Sequence, residues 1–306
     1  MILGVLPAES HAFWIWSRKQ QKWRDPDSVP LSSPGAQLMQ AMSFYDEGDY
    51  KRAYKEFGKL LKAYADAREA PEAQYFRALC LLKMEKPREA FSVFQKIVDS
   101  YPYSSRITEI IEHQLQIAEA LIDRANVRLL GIEFDPDTWT EHPSIEMFGK
   151  IIENAPYSHE AEQAQYKLGL LFKELNRKDE AIRAFEELVD KYPDSRLLEP
   201  AKYQLAMVSA EASLKAEYDQ TLSKDAKERF STFLASHPET SLAREANQEL
   251  SGLKAKEAEK YFTTAEFYFD QGDFSSAKIY YEQIVKNYAG SEAADKARGR
   301  INEMDM

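Results

Sequence analysis

Apolar positions recur along most of this chain at spacings of three and four, the period of a helix with one buried face. Six times a small residue is followed four positions later by an aromatic, and eight positions after that by Pro or Ala. The sets are Ala53/Phe57/Ala65, Ala90/Phe94/Pro102, Ser144/Phe148/Pro156, Ala181/Phe185/Pro193, Ala226/Phe230/Pro238 and Ala277/Tyr281/Ala289. A small residue and an aromatic four apart share a helical face, so a neighbouring helix approaches closely at the first and is wedged by the second. The Pro ends that helix, because it lacks an N–H and disfavours helical geometry in the residue before it. Tyr64, Tyr101, Tyr192 and Tyr288 stand just before the last position, while Ser104, Ser158, Ser195, Thr240 and Ser291 stand two after it, placed to cap the next helix.

A second helix fits upstream of each small residue, closing in turn signals such as Gly48-Asp49, Lys86-Pro87 and Gly272-Asp273. Twelve positions before the small residue the uninterrupted repeats place another one, Ala41, Ala78, Gly169 or Ala265, and a large apolar residue follows three later at Phe44, Leu81, Phe172 or Tyr268. This register of small, large, small, aromatic and Pro resembles the tetratricopeptide (TPR) repeat over about residues 36–304. Successive small residues are 37, 54, 37, 45 and 51 apart, against about 34 for the simple repeat. The longer gaps predict insertions at 126–142 and 214–223 and an extended helix over about 243–262. A helix pair cannot bury its apolar stripe alone, so the resemblance implies an all-α fold, a right-handed superhelical solenoid of five to six repeats.

Composition agrees with this. The 306 residues are 44% hydrophobic, with only 11 Gly and 13 Pro and an excess of Tyr and Phe that the repeat's own packing code explains. A formal charge of −11 argues against a general nucleic-acid binder. A single cysteine excludes an intrachain disulfide framework, and no stretch reaches about 18 uninterrupted apolar residues, as a membrane-spanning helix requires.

The front end departs from the body. Residues 1–12 hold a short apolar run and then Ser10 and Ala12 in the small-x-Ala pattern of a secretory cleavage site, which reads as a truncated signal peptide starting upstream of Met1. Residues 13–35 are a Trp-rich basic segment and a Pro-rich linker. Trp14, Trp16 and Trp23 stand there among Arg18, Lys19, Lys22 and Arg24, so residues 13–24 carry +4. Such residues suit the membrane–water interface, which makes Trp14, Trp16, Arg18, Lys19, Lys22 and Trp23 a candidate membrane contact. The same aromatics also suit packing onto the protein's own first helices or onto a partner.

Chemistry is sparse. The five His residues lie in different segments without ligand spacing. The stretch 135–142 is the best metal-like cluster, but it lacks the Gly and bidentate Glu of an EF-hand loop. Cys80 sits in an apolar run and reads as a buried, inert thiol. With no phosphate loop, nucleophile elbow or carboxylate pair, the chain reads as a non-enzymatic binding scaffold without cofactor or metal.

The order of features narrows the family. Repeats joined by Tyr-Pro-x-Ser turns lead to an interrupted third repeat, then to residues 160–166 (EAEQAQY), to Tyr218-Asp219 and Phe230-x-x-Phe233-Leu234, and to residues 265–274 (AEFYFDQGDF). Together these resemble the BamD family, the TPR lipoproteins of outer-membrane β-barrel assembly. The resemblance implies a scaffold in the periplasm, on the inner face of the outer membrane, monomeric within a hetero-complex. Its amino-terminal repeats (36–160) would receive unfolded barrel proteins, and its carboxy-terminal repeats (161–306) would dock the central barrel-assembly protein. By repeat register the peptide-facing positions are Met42, Tyr45, Tyr75, Leu79 and Lys83, and the partner-facing ones are Phe262, Tyr268, Phe274, Tyr281, Arg298 and Arg300. That family is anchored through a lipidated amino-terminal Cys, whereas the first Cys here is Cys80; either the anchor is absent or the Trp-rich segment substitutes for it. The alternative is a periplasmic TPR adaptor of cell-envelope constriction or peptidoglycan synthesis.

Overall fold

The computed structural model describes residues 15–17, 22–24, 29–129, 142–215 and 220–304. They form thirteen α-helices and one short hairpin, in two compact units, Met1–Ala155 and Pro156–Met306. The fold is therefore all-α apart from that hairpin, whose strands β1 (Ile15–Ser17) and β2 (Lys22–Arg24) pair antiparallel with Trp16 opposite Trp23.

In the first unit α1 (Pro34–Asp46) pairs with α2 (Tyr50–Ala63), α3 (Ala70–Lys83) with α4 (Pro87–Ser100), and α5 (Ile107–Leu129) with α6 (Pro143–Asn154). In the second, α7 (His159–Glu174) pairs with α8 (Lys178–Lys191), α9 (Leu198–Lys215) with α10 (Gln220–Ser236), and α11 (Ser241–Asp270) with α12 (Phe274–Asn287); α13 (Glu292–Met304) closes the end. The extended helix expected over 243–262 does not stand alone. It runs without a break into the first helix of the last pair, giving the 30 residues of α11.

The sequence register is the packing register. Ala53, Phe57, Ala90, Phe94, Ser144, Phe148, Ala181, Phe185, Ala226, Phe230, Ala277 and Tyr281 are all 0% exposed. Each buried ring contributes roughly 1.5–3 kcal/mol by leaving water. At Gly169 of α7 the approach is closest: an added Cβ would stand 2.6 Å from the Phe185 ring.

Turns within a pair repeat one design. Gly48, Glu85, Asn176 and Gly272, each seven residues after the first-helix small residue, have φ of 81°, 59°, 57° and 79°. The next N–H reaches back to the large apolar residue's carbonyl, as in Asp49 N to Phe44 O (2.9 Å) and Arg177 N to Phe172 O (2.8 Å). This left-handed cap satisfies carbonyls that the helix end leaves free. Asp49 and Asp273 then cap the following helix, accepting from Arg52 N and Ser276 N.

Two polar contacts recur between helices. Gln37, Gln74 and Gln165, buried four residues before the small position, each donate Nε2 to a carbonyl 19 residues on, at Glu56 (3.3 Å), Val93 (3.4 Å) and Ala184 (2.9 Å). The tyrosine of the Tyr-Pro turn donates its hydroxyl to the preceding repeat's turn, Tyr101 to Ala65 O (3.3 Å) and Tyr192 to Pro156 O (2.9 Å). The Tyr-Pro motif thus both stops a helix and ties neighbouring pairs.

Candidate interaction surfaces

In the first unit the expected peptide-facing residues divide by burial. Met42 is half-buried and lines a shallow cleft on α1 of about 530 Å³ with Leu38, Met39, Ser43, Asp46 and Glu47. Met39 is 71% exposed. Leu79 is half-buried and Lys83 is exposed in the last turn of α3. Tyr45 packs edge-on against Tyr50 (5.4 Å) and Phe76 (5.2 Å).

Tyr75 is not on an open face: it is 3% exposed. Its ring lies edge-on to Phe76 and under the Arg106 guanidinium, 4.3 Å from the centroid, and its hydroxyl donates to Glu109. Arg106 grips Glu72 through two bonds of 2.7 Å and Glu109 through one of 2.8 Å, joining α3 to α5. Burial first, then the bond to Glu109, pushes the Tyr75 hydroxyl well above its ordinary value, so it stays a donor. An aromatic at this register braces neighbouring repeats, leaving the cleft to Met42 and its neighbours.

In the second unit Tyr281 is likewise core rather than surface. It is 0% exposed, tilted against Phe262, with its hydroxyl bonded to Glu266. Arg300 holds Glu266 with bonds of 3.0 and 2.7 Å and lies 4.9 Å over the Phe269 ring. Its charge is spent inside the unit. Arg298 is exposed, bonded to Asp295 and to Ala289 O (3.0 Å). Tyr268 stacks on Tyr280 at 5.5 Å, and Phe274 is 53% exposed, edge-on to Phe269. Phe267 and Ile279, which the repeat register does not single out, are 59% and 64% exposed. Their signal is the reverse of the core pattern: large apolar residues at positions that register assigns to no neighbouring helix.

Of the candidate membrane-contact residues, Trp14, Arg18 and Lys19 lie outside the described residues, while Trp16, Lys22 and Trp23 are in β1 and β2. No helix among the described residues is long and apolar enough to cross a membrane. Among the described residues no group of three or more His, Cys, Asp or Glu could hold a metal ion, and most of the 135–142 cluster lies outside them. His142 instead caps α6, its Nδ1 accepting from Ser144 N at 3.2 Å. Cys80 is buried, and burial pushes its thiol up to about 12.

Comparison with known proteins identifies the family. The family model described as YfiO, outer membrane lipoprotein, matches residues 145–303, just over half of the chain, and a tetratricopeptide repeat model matches residues 38–105. No curated protein matches the sequence. Similar solved structures include a TPR protein of Thermus thermophilus, 15% identical, with 71% of this chain and 99% of that one covered and a TM-score of 0.35. Another is the carboxy-terminal part of a TPR protein from Cytophaga hutchinsonii, 16% identical, with 87% of each chain covered and a TM-score of 0.36. A third is a TPR protein of Parabacteroides merdae, 12% identical, with 83% and 92% covered and a TM-score of 0.36.

Proposed function

The chain belongs to the YfiO outer membrane lipoprotein family, and from that premise we propose that it is a non-catalytic scaffold for assembling β-barrel proteins at the periplasmic face of the outer membrane. The observation that carries this reading is where the family match falls. It runs from within α6 to α13 and includes the exposed Phe267, Phe274 and Ile279 of the last helix pair. In this reading that patch, with Tyr268, Phe262 and Arg298 at its margins, docks the central barrel-assembly protein. Tyr281 and Arg300 hold the patch in shape from beneath. The first unit receives segments of unfolded barrel proteins. Met42 and Leu79 supply apolar contact, Lys83 meets a carboxylate, and Tyr45 and Tyr75 keep the helices in register.

Co-purification from native envelopes tests the proposal. Recovery of the central barrel-assembly protein with the wild-type chain supports it, and Phe267→Ser with Phe274→Ser is expected to lower that recovery about tenfold, the loss of one or two anchoring rings. Both rings are more than half exposed, so the melting transition is expected to stay in place. Recovery of only division or wall-synthesis proteins would instead favour an adaptor of envelope constriction.

A further inference from the structure

One helix of the first unit gathers cations within an acidic chain. α2 carries Lys51, Arg52, Lys55, Lys59 and Lys62 against a single carboxylate, Glu56, although the chain as a whole is −11. Arg52 is spent on Asp49 (3.3 Å) and Lys59 on Glu56 (2.6 Å). Lys51, Lys55 and Lys62 are exposed, and among the described residues no carboxylate pairs with them. At 3.6 residues per turn the three fall within about 40° of one another, with Gly58 at the edge of the same stripe.

A fourth cation enters that stripe from α3. Arg77 holds its guanidinium 4.4 Å over the Tyr54 ring and donates Nη2 to the Tyr54 hydroxyl (3.0 Å). Its Nε–H is buried without a partner, and among the described residues no carboxylate balances its charge. The Tyr54 hydroxyl accepts from Arg77, while its own proton has no acceptor among those residues. Every unspent polar group here is a donor, the arrangement that suits an anion.

Gly58 keeps the approach open. Inside a helix Gly is less stable than Ala, yet neither backbone nor packing demands it here. Its φ is not positive, and an added Cβ would meet nothing nearer than 3.8 Å. The atoms it would meet are Cζ, Nε and Nη2 of Arg77, so a longer side chain at 58 would lie across the guanidinium. Nε and Nη2 form one of the paired edges by which Arg holds a carboxylate with two bonds.

Spacing describes the occupant. Lys51, Lys55, Gly58 and Lys62 stand 4, 3 and 4 residues apart, steps of about 6, 4.5 and 6 Å along the axis. A second helix alongside, with Asp or Glu at the same spacing, meets every step. Same-side residues of an extended strand advance about 6.8 Å each and drift out of register. A bilayer fits less well. Interfacial binding adds buried apolar area to charge, but none of the exposed large apolar side chains among the described residues belongs to α2.

We propose that the Lys51/Lys55/Lys62 stripe, with Arg77 at its centre, docks an acidic helix of a partner protein, one carboxylate entering over Gly58 to Arg77 and the Tyr54 hydroxyl. This surface is separate from the peptide-facing positions of α3. Arg77 is two residues from both Tyr75 and Leu79, and so about 160° around the helix from each.

Fluorescence anisotropy with the full-length chain tests it. The probe is a labelled alanine-based helical peptide with four Glu at 4-3-4 spacing, and its control has the same composition with the Glu spread around the helix. The probe should bind about tenfold tighter than the control. Arg77→Gln should weaken it by about tenfold or more, as loss of a charged hydrogen-bonding partner does. Lys55→Gln, at an exposed position, should weaken it about two- to fivefold. Gly58→Leu leaves all four cations in place and should match Arg77→Gln, with circular dichroism reporting an unchanged fold. Equal affinity for the two peptides would mean that net charge alone is read, and overturns the proposal. So does wild-type affinity in both Arg77→Gln and Gly58→Leu, which would move binding to another basic segment such as residues 13–24. Flotation on phosphatidylglycerol vesicles that is lost with Lys51, Lys55 and Lys62 all changed to Gln, without any peptide binding, would assign the stripe to a membrane instead. No envelope protein enters the assay, so its outcome is separate from that of the co-purification above.

Discussion

Gly169 carries two requirements that pull in opposite directions. As a residue inside α7 it costs helix stability relative to Ala by about 1 kcal/mol, yet a Cβ there would press on three Phe185 ring atoms at 2.6, 2.8 and 2.9 Å. Phe185 is fully buried and edge-on to Tyr166 at 5.8 Å, so its ring has no free space to yield. Overpacking of this kind costs about 1–3 kcal/mol, so against the helix gain of about 1 kcal/mol we expect Gly169→Ala to be net destabilising by up to about 2 kcal/mol in urea denaturation. Gly149, exposed within α6 with nothing inside 4 Å of an added Cβ, is the control: Gly149→Ala should stabilise by about 0.5–1 kcal/mol. Gly169 was legible in the sequence because it falls in register with Ala41, Ala78 and Ala265. The buried glutamines were not. Gln37, Gln74 and Gln165 share a register too, but a Gln on a helix reads as a solvated side chain until a carbonyl is found opposite it. The same holds for Tyr75 and Tyr281, whose position on the first or second helix is readable while the Arg–Glu network that buries their hydroxyls is not.

At the level of the helix pair, sequence and structure part at the turns. Gly48 and Gly272 announce a left-handed cap, whereas Glu85 and Asn176 occupy the equivalent place without the residue that signals it. Tertiary packing dictates the turn there, since the large apolar residue before each one must reach the core whatever follows. Asn tolerates this geometry better than Glu, because its short side chain bonds locally. Glu85 therefore holds a φ of 59° at a cost of about 1 kcal/mol, partly offset by the greater unfolded-state freedom of Gly. Glu85 is exposed, so its side chain adds no packing. Thermal unfolding of Glu85→Gly should show stabilisation of about 0.5–1 kcal/mol, and a loss of stability would mean that the side chain does something at this turn that its geometry hides. Helix lengths follow the same logic. The insertion after α10 extends the next helix to 30 residues because no Pro or Gly-led turn separates it from the last repeat.

Across the whole molecule the repeat spacing foretells the helix pairs of the described residues, and the chain divides into compact units between Ala155 and Pro156. What spacing leaves unread is which surface each unit offers, because exposed positions are free of the constraint that makes the core periodic. Closure of the second unit adds one such unpatterned group to the apolar cluster of Ala265, Tyr281, Ile284 and Ala297. Glu266 of α11 accepts from Tyr281 of α12 and is gripped twice by Arg300 of α13, so a single carboxylate ties the last three helices. Burial pushes this carboxyl up, but the bonds from Arg300 and Tyr281 outweigh it and hold the group below the ordinary carboxylate value. A carboxylate whose value is depressed on folding contributes fully above its unfolded value, about 4.3, and loses that contribution as pH falls through the lower folded one. Acid should therefore release α13 first. Between about pH 5 and 3, amides of α13 should lose hydrogen-exchange protection ahead of those in α7 and α8. Glu266→Gln keeps the shape and one acceptor but gives up the charge. With side chains 26% and 35% exposed on the two partners, solvent screens the pair, so the expected cost is about 1 kcal/mol at neutral pH. In that variant the early acid loss at α13 should disappear, and a variant that still frayed with the wild-type pH profile would move the origin of the acid sensitivity elsewhere.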